Sequence, residues 1–356
     1  MAAAMAGTPE ASITGLIRVQ PEDFQVEEVL GFEPDGQGEH LWLWLEKRSA
    51  NTHWLAGQLA RWAGVAPMAV GYAGMKDRHA VTGQWFSIHL PLRQAPPEPL
   101  AIEGVVERAR SWHSRKLKRG SHRGNRFVIT LRDIQGDLPA AQRRLADIAA
   151  GGVPNFFGSQ RFGHGGGNVD QARDWLAATR PARLPPARRG LLLSAARSWL
   201  FNQVLAERVA RGDWNQAVPG DCFQLDGRGS WFGPEADITA DIQARVENGL
   251  IHATGPLWGK DEPATALAVQ ALEQAVADAE PVLSQGLARF GLRQERRALR
   301  LLPQELAWSV DEGGRTLQLS FPLPRGAFAT CVLAAFCTVH DAAAGGGPGD
   351  RLSTDD

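Results

Sequence analysis

The chain has 356 residues, of which 44% are hydrophobic and 22% charged, and its formal net charge is -1. This composition excludes a disordered chain, and the length exceeds the roughly 250–300 residues that one hydrophobic core usually organises. We therefore expect two domains.

Local features of the sequence exclude several further classes of protein. The apolar stretches at 191–205 and 328–339 are interrupted by polar residues and fall short of the about 20 residues needed to span a bilayer. The opening MAAAMAGTPEAS lacks the basic region and apolar core of a secretory signal, so we expect a cytoplasmic protein. The three cysteines, Cys222, Cys331 and Cys337, contain no C-x-x-C pair, and the histidines and carboxylates are not spaced as metal ligands. Neither a disulfide nor a metal is expected.

The first part of the chain has the patterns of strands and turns, with two helices among them. In NRFVITLRD, Phe127, Ile129 and Leu131 alternate with polar or smaller residues, which is the period of a strand. The segment WFSIHL is predicted as a strand because its apolar residues also alternate, and HLWLWLEK from His40 because it is a short apolar run. The predicted helices are Thr52 to Ala63, with Asn51 as N-cap and Gly64 as its stop, and Pro139 to Ala150.

Helical patterns dominate the middle of the chain, and strand patterns return near its end. The predicted fold class is α+β: a mixed or antiparallel sheet formed by both chain ends, with a mostly helical inserted domain. The strands LAWSV and TLQLSFPLP precede a predicted helix, FATCVLAAFCTV. The middle helices are predicted at Val169 to Thr179, Leu191 to Arg211, Thr239 to Asn248 and Ala264 to Ala279. The predicted limits are 14–153 and 303–340 for the sheet domain, 154–302 for the insertion, and 1–13 and 341–356 for disordered tails.

A basic segment stands out against the nearly neutral net charge. Eight Lys or Arg residues and no acidic residue lie between Arg108 and Arg126. Clustered cations are what counterion release from a phosphate backbone requires. We therefore predict a nucleic-acid contact on one face of the protein, although a solvated charged face remains an alternative. The cations chosen for backbone contacts are Arg115, Lys116, Lys118 and Arg119.

The segment GYAGMKDRHAVTGQWFS, at 71–87, presents Lys76 and Asp77 on a glycine-containing turn between two apolar runs. On spacing alone, Asp77 is either a turn-capping residue or a catalytic carboxylate. GMKDRHAVTGQW is very similar to the signature of the TruD pseudouridine synthases, whose aspartate is the nucleophile. The similarity continues in family order through PEDFQVEEVLGFEPDGQGEHLWL, RGNRFVITLR, VPNFFGSQRFG, LSAARSWLFNQVLAER, GDCFQLDGRGSWF and LPRGAFAT.

The resemblance implies a role for particular residues. It makes Asp77 the nucleophile and places Phe24, Asn125 and Phe328 in the uridine pocket. Aromatic rings suit the stacking of an extruded base, and an amide can both donate to and accept from uracil, but core packing and turn formation are the alternative roles. Lys76 and Arg18 are both candidates for a cation beside the nucleophile.

Two adjacent positions depart from the family pattern. After GAFAT the family usually has an Arg-Glu pair, where this chain has Ala334 and Ala335.

The implied activity is isomerisation of uridine 13 in the D arm of tRNA to pseudouridine, through a covalent adduct with Asp77. Because the reaction conserves atoms and involves no oxidation, no cofactor is expected. The expected partner is tRNA; no feature indicates a membrane or an obligatory protein partner. Two alternatives remain: a catalytically inactive tRNA-binding or tRNA-folding protein of the same fold, and a retaining glycosidase that pairs Asp77 with Glu27 or Glu28.

Overall fold

The computed structural model describes residues 11–94, 96 and 98–345. They divide into two compact units. The sheet unit comprises Ala11–Arg143, Pro303–Gly326 and residues 337–345, and the helix-rich unit comprises Arg144–Leu302 and Ala327–Phe336. Segment Ala327–Phe336, which was expected in the sheet domain, thus groups with the helix-rich unit.

A ten-stranded mixed sheet forms the sheet unit. The strands are β1 (Ile13–Ile17), β2 (Phe24–Val29), β3 (His40–Arg48), β4 (Val70–Tyr72), β5 (Val81–His89), β6 (Val105–His113), β7 (Gly124–Gly136), β14 (Ala307–Val310), β15 (Leu317–Pro324) and β16 (Cys337–Asp341). The main path of the sheet runs β14-β15-β7-β2-β5-β3-β6, with β1 pairing to β7 and β16, and with β4 on β5. The β1/β16 and β2/β5 pairs are parallel, whereas the other pairs are antiparallel.

Strand β3 shows how the sequence pattern builds the core of this unit. Leu41, Leu43 and Leu45 are completely buried, because alternate residues of a strand face the same side. Helix α1 (Thr52–Trp62) contributes Leu55 to the same apolar cluster.

The start of α1 confirms its predicted N-cap. The Asn51 side chain accepts hydrogen bonds from the backbone N–H groups of His53 and Trp54. These are donors that the first helical turn leaves without a partner.

The helix-rich unit is built around one long helix, α4 (Pro186–Arg211), which buries Leu200, Phe201 and Leu205. Its other helices are α3 (Gly167–Ala177), α5 (Ala240–Glu247), α6 (Leu267–Ala279), α7 (Pro281–Arg289) and α8 (Ala329–Ala334). Its strands are β8 (Val153–Pro154), β9 (Phe223–Leu225), β10 (Trp231–Phe232), β11 (Ile251–Leu257), β12 (Glu295–Ala298) and β13 (Arg300–Leu301). These strands form a four-stranded sheet, β10-β9-β11-β12, and the short pair β8/β13. Helix α2 (Leu138–Gly151) begins in the sheet unit and ends in this one.

The helix predicted for FATCVLAAFCTV was wrong in its second half. Helix α8 ends at Ala334, and β16 begins at Cys337 and pairs in parallel with β1. This pairing joins residues more than 300 positions apart, as in Ile13 with Cys337, so local propensity could not reveal it.

The predicted tails can be compared with the structure only in part. Ile13 and Asp341, which fall inside the segments predicted as tails, are strand residues. Residues 1–10 and 346–356, also predicted to be disordered, lie outside the described residues. Within the described residues, no helix combines the length and apolarity that crossing a membrane requires.

Candidate active site

Asp77 lies in the loop between β4 and β5, and its side chain is 56% exposed. The guanidinium of Arg18 donates a hydrogen bond to Asp77 Oδ2 at 3.0 Å and another to Asp341 Oδ2 at 2.7 Å. Because the Arg18 side chain is only 10% exposed, it forms a fixed support for one oxygen of an accessible carboxylate.

Arg18 follows β1 and has a left-handed backbone, with a φ of 55°. This conformation is uncommon for a non-glycine residue and persists where the surrounding structure enforces it. The guanidinium carbon lies 4.2 Å from the centroid of the Phe24 ring. That ring is 97% buried and packs edge-on against Phe127 at a centroid distance of 6.2 Å. Thus Phe24, Arg18 and Asp77 lie in one contiguous site within the sheet unit.

Lys76 points away from its neighbour Asp77 and pairs with Glu28. Its Nζ atom lies 3.1 Å from Glu28 Oε2, and the two side chains are 4% and 0% exposed. Burial raises the pKa of the Glu28 carboxyl, and Lys76 opposes that rise. Glu28 lacks the access to water that a glycosidase acid or base needs, which counts against the pairing of Asp77 with Glu28.

His122 and the Lys76–Glu28 pair all lie against Gly74. A Cβ atom at Gly74 would be 3.1 Å from Lys76 Nζ, 3.2 Å from His122 Cε1 and 3.7 Å from Glu28 Oε2. Burial lowers the pKa of His122 to about 4, and the positive charges of Lys76 and Arg325 act in the same direction. The imidazole is therefore neutral at pH 7.

Lys47 was not among the residues predicted from the sequence. Its side chain is completely buried, and Nζ donates hydrogen bonds to the backbone oxygens of Ala50 at 2.5 Å and Asp77 at 3.2 Å. Burial lowers the pKa of Lys47 to about 8; Asp77 opposes this shift and Lys76 adds to it. The signal was present in the sequence, because Lys47 continues the odd-numbered series of buried leucines in β3.

Asn125 lies near the start of β7, where it pairs with Glu28 of β2 and Leu323 of β15. Its Oδ1 atom is buried and has no hydrogen-bond partner among the described residues. A buried acceptor without a partner is costly.

Phe328 belongs to the helix-rich unit, where it is the N-cap residue of α8. It lines a cavity of about 360 Å³ together with Phe157, Arg161, Ala334 and Ala335. The Arg161 guanidinium carbon lies 5.5 Å from the Phe157 ring centroid and 6.0 Å from that of Phe328. The two alanines that depart from the family pattern thus form part of an apolar wall.

The structure separates the four cations selected for RNA contact into two kinds. Lys116 donates to the backbone oxygen of Met68, and Arg119 donates to the Tyr72 hydroxyl at 2.5 Å with its guanidinium over the ring. Arg115 and Lys118 are exposed and form no ion pair within the described part of the chain.

Arg115 and Lys118 line a cavity of about 500 Å³ that also includes Phe32, Trp42 and Asp35. The Phe32 ring is 43% exposed and packs edge-on against Trp42 at a centroid distance of 6.0 Å. The Asp35 carboxylate accepts hydrogen bonds from the backbone and hydroxyl of Ser114 and from the Gln37 backbone N–H. These bonds, the Ser114 hydroxyl foremost, lower the pKa of Asp35 to about 2.

Among the described residues, no group of three or more His, Cys, Asp or Glu side chains is arranged to hold a metal ion.

The fold and the site define an α+β protein with a mixed sheet that presents an arginine-supported aspartate. Residues 3–170 and 168–336 match the sequence model of the family described as tRNA pseudouridine synthase D (TruD). A tRNA pseudouridine synthase D from Nitrosococcus oceani is 48% identical over 322 residues, covering 90% of this chain and 89% of the relative. Another, from Xanthomonas euvesicatoria, is 49% identical over 349 residues, covering 93% and 94%.

A solved structure from Methanosarcina mazei with the same family name shares the fold. Its TM-score is 0.72 at 23% identity, and the match covers 93% of this chain and 96% of that one. The chain therefore belongs to the TruD family of tRNA pseudouridine synthases. The resemblance and the fold class expected from the sequence are both confirmed.

Proposed function

We propose that this pseudouridine synthase, an isomerase, converts uridine 13 in the D arm of tRNA to pseudouridine through a covalent adduct with Asp77. The observation that carries the proposal is the Arg18–Asp77 pair, in which a largely buried guanidinium holds one oxygen of a carboxylate that is 56% exposed. A nucleophile needs both features: a fixed orientation and an open path for the substrate. Because tRNA is the substrate, we place the protein in the cytoplasm.

The chemistry needs only one nucleophile and a route for protons. The N1–C1′ bond of uridine breaks, the uracil turns, and a C5–C1′ bond forms; C5 then loses its proton, and N1 gains one. Attack of Asp77 at C1′ would give a ribosyl ester and a uracil anion, whereas attack at C6 would give a saturated pyrimidine adduct. Both routes return Asp77 to a free carboxylate at the end of the cycle.

The pocket residues have distinct proposed tasks. Phe24 of the sheet unit would stack on the extruded base, which loses its stacking partners when it leaves the RNA helix. Phe328 would offer an apolar ring in the cavity of the helix-rich unit. The partnerless Oδ1 of Asn125 would accept a hydrogen bond from the substrate, which offsets the cost of its burial. Lys76 would compensate the buried charge of Glu28, with which it forms an ion pair, instead of contacting Asp77 directly.

The proposed RNA contacts are electrostatic. Arg115 and Lys118 would bind backbone phosphates directly, because neither side chain is engaged in an ion pair within the described residues. Lys116 and Arg119 would exchange their present contacts with Met68 and Tyr72 for phosphate oxygens. These contacts would offset the few kcal/mol that extrusion of the target nucleotide costs.

The modified position is tested with tRNA transcripts that carry tritium at C5 of uridine. The protein is expected to release tritium equivalent to about one uridine per transcript, since only the C5 proton of the target is lost. A transcript with cytidine at position 13 should release none. Equal release from both transcripts would contradict the assignment of uridine 13, and no release from either would favour a tRNA-binding protein without catalysis.

A further inference from the structure

The loop that carries Asp77 is held along its main chain by buried polar side chains from three other elements. The contacts come from β3, from the first residue of α1 and from β5. Gln84 Nε2 donates to the Gly74 oxygen at 3.1 Å, the Lys76 N–H donates to Thr52 Oγ1 at 3.0 Å, and Lys47 Nζ donates to the Asp77 oxygen at 3.2 Å.

These three side chains, which we call the buried clamp (Lys47, Thr52 and Gln84), are completely buried. Thr52 Oγ1 donates to Gln84 Oε1 at 3.0 Å, and Lys47 also donates to the oxygen of Ala50, two residues before Thr52. A buried network in which each member is hydrogen-bonded rigidifies the segment that it contacts. The position of Asp77 is therefore coupled to the protein interior through its main chain.

Lys47 is the costly member of the clamp. A buried ammonium loses its hydration, and here its direct partners are two neutral carbonyl oxygens. The charged side chains that act on it are Asp77 and Lys76, both in the loop above, with opposing effects on its protonation. A neutral apolar residue would fill this position in β3 at lower cost, as Leu41, Leu43 and Leu45 do on the same face.

We propose that Lys47 is a positioning residue for the isomerisation: its protonated ammonium fixes the main chain at Asp77, so that the carboxylate meets Arg18 in the orientation for attack. This inference rests on the proposed role of Asp77 as the nucleophile. Because Lys47 is completely buried and contacts the backbone oxygens of Ala50 and Asp77, it acts only through the main chain.

The test is single-turnover kinetics of Lys47→Met on tritium-labelled tRNA between pH 7 and pH 9.5. We expect the rate constant at pH 7 to fall roughly 10- to 100-fold, as small misplacements of a reacting group do, while the tRNA concentration for half-maximal rate changes by less than about twofold. The wild-type rate constant should decline as the pH rises above about 8, where Lys47 loses its proton. The variant should lack that decline.

Three further variants make the result decisive. Thr52→Val breaks the clamp without removing the ammonium, so it should lower the rate constant and keep the decline near pH 8. Lys260→Met removes an exposed ammonium in the helix-rich unit and should leave the rate unchanged. Asp77→Asn tests the proposed function separately. If that variant still isomerises the labelled tRNA, Asp77 is not the nucleophile, and the proposed function fails whatever Lys47 does.

Two results would overturn the inference while Asp77→Asn stays inactive. One is a Lys47→Met rate constant equal to that of the wild type. The other is a lowered rate constant whose pH profile still declines near pH 8, because a merely structural lysine would act on folding and not on that ionisation.

Discussion

Arg18 connects Asp77 with β2 and β16 of the same unit, since its guanidinium contacts Asp77, Asp341 and the ring of Phe24. Three contacts from one planar cation fix its orientation, and a lysine ammonium has no equivalent fork of donors. Positioning of the carboxylate thus depends on a side chain 59 residues away in the sequence.

Replacing Arg18 with methionine should lower the rate constant of isomerisation by roughly 100-fold, because Asp77 would lose its oriented partner. Arg18→Lys should recover part of the loss. Arg48→Met is a matched control, since Arg48 forms an ion pair with Glu22 whose two side chains are 58% and 44% exposed. Single-turnover rates of the three variants test this; an Arg18→Met rate close to that of the control would contradict it.

The lowered pKa of His122 predicts how the free energy of unfolding depends on pH. The folded-state pKa is lowered to about 4 from 6.5, so between these values the unfolded chain binds a proton that the folded chain does not. The stability contributed by neutral His122 is present above pH 6.5 and is lost as the pH falls toward 4.

Urea unfolding at pH 7 and pH 5 should show a larger loss of stability for the wild type than for His122→Gln, which cannot be protonated. Equal losses in both proteins would show that His122 does not carry this dependence.

At the scale of elements, local sequence patterns predicted the secondary structure well where packing and propensity agree. Helix α1 begins at its predicted cap, β5 and β7 form where apolar residues alternate, and β3 forms at the predicted apolar run. Long-range strand pairing was not predictable: β16 was mistaken for the end of a helix, because the partner strand β1 lies at the other end of the chain. Helix α7, which begins at Pro281, was not predicted.

The residues of the candidate active site were less predictable from local sequence patterns than the helices and strands were. Asp77 and the pocket residues were proposed from the family signature, since spacing alone allowed a turn-capping role for Asp77. The partner of each cation required the fold, because Arg18 and Lys76 were equal candidates in the sequence. The hydrogen bond from Lys47 to the backbone oxygen of Asp77 also required the fold, because the sequence shows only that Lys47 continues the odd-numbered series of buried residues in β3.

The segment between β6 and β7 carries a prediction about RNA binding. Replacing both Arg115 and Lys118 with serine should weaken tRNA binding and reduce the slope of log affinity against log salt by about 2, one for each phosphate that the variant no longer neutralises. Arg108→Ser with Arg110→Ser is the control, since these side chains already pair with Glu46 and Glu107. Filter binding from about 50 to 300 mM salt, on the order of cellular ionic strength, measures the slopes; identical slopes would contradict the assignment.

At the scale of the whole molecule, net charge is a poor guide to function. The chain is nearly neutral, yet eight Lys or Arg residues and no acidic residue lie between Arg108 and Arg126 in the sheet unit. The sheet unit also holds Asp77, Arg18, Phe24 and Asn125, and the helix-rich unit holds Phe328 in an apolar cavity. The residues proposed for covalent chemistry, for phosphate binding and for stacking through Phe24 therefore belong to the sheet unit, and Phe328 belongs to the helix-rich unit.

The central claim is tested most directly by comparing wild type with Asp77→Asn for tritium release from C5-labelled tRNA and for tRNA affinity. The substitution keeps the size of the side chain and removes the negative charge of the proposed nucleophile. We predict release equivalent to about one uridine per tRNA from the wild type and none from Asp77→Asn, with the same affinity for tRNA. Equal tritium release from the two proteins would contradict the account.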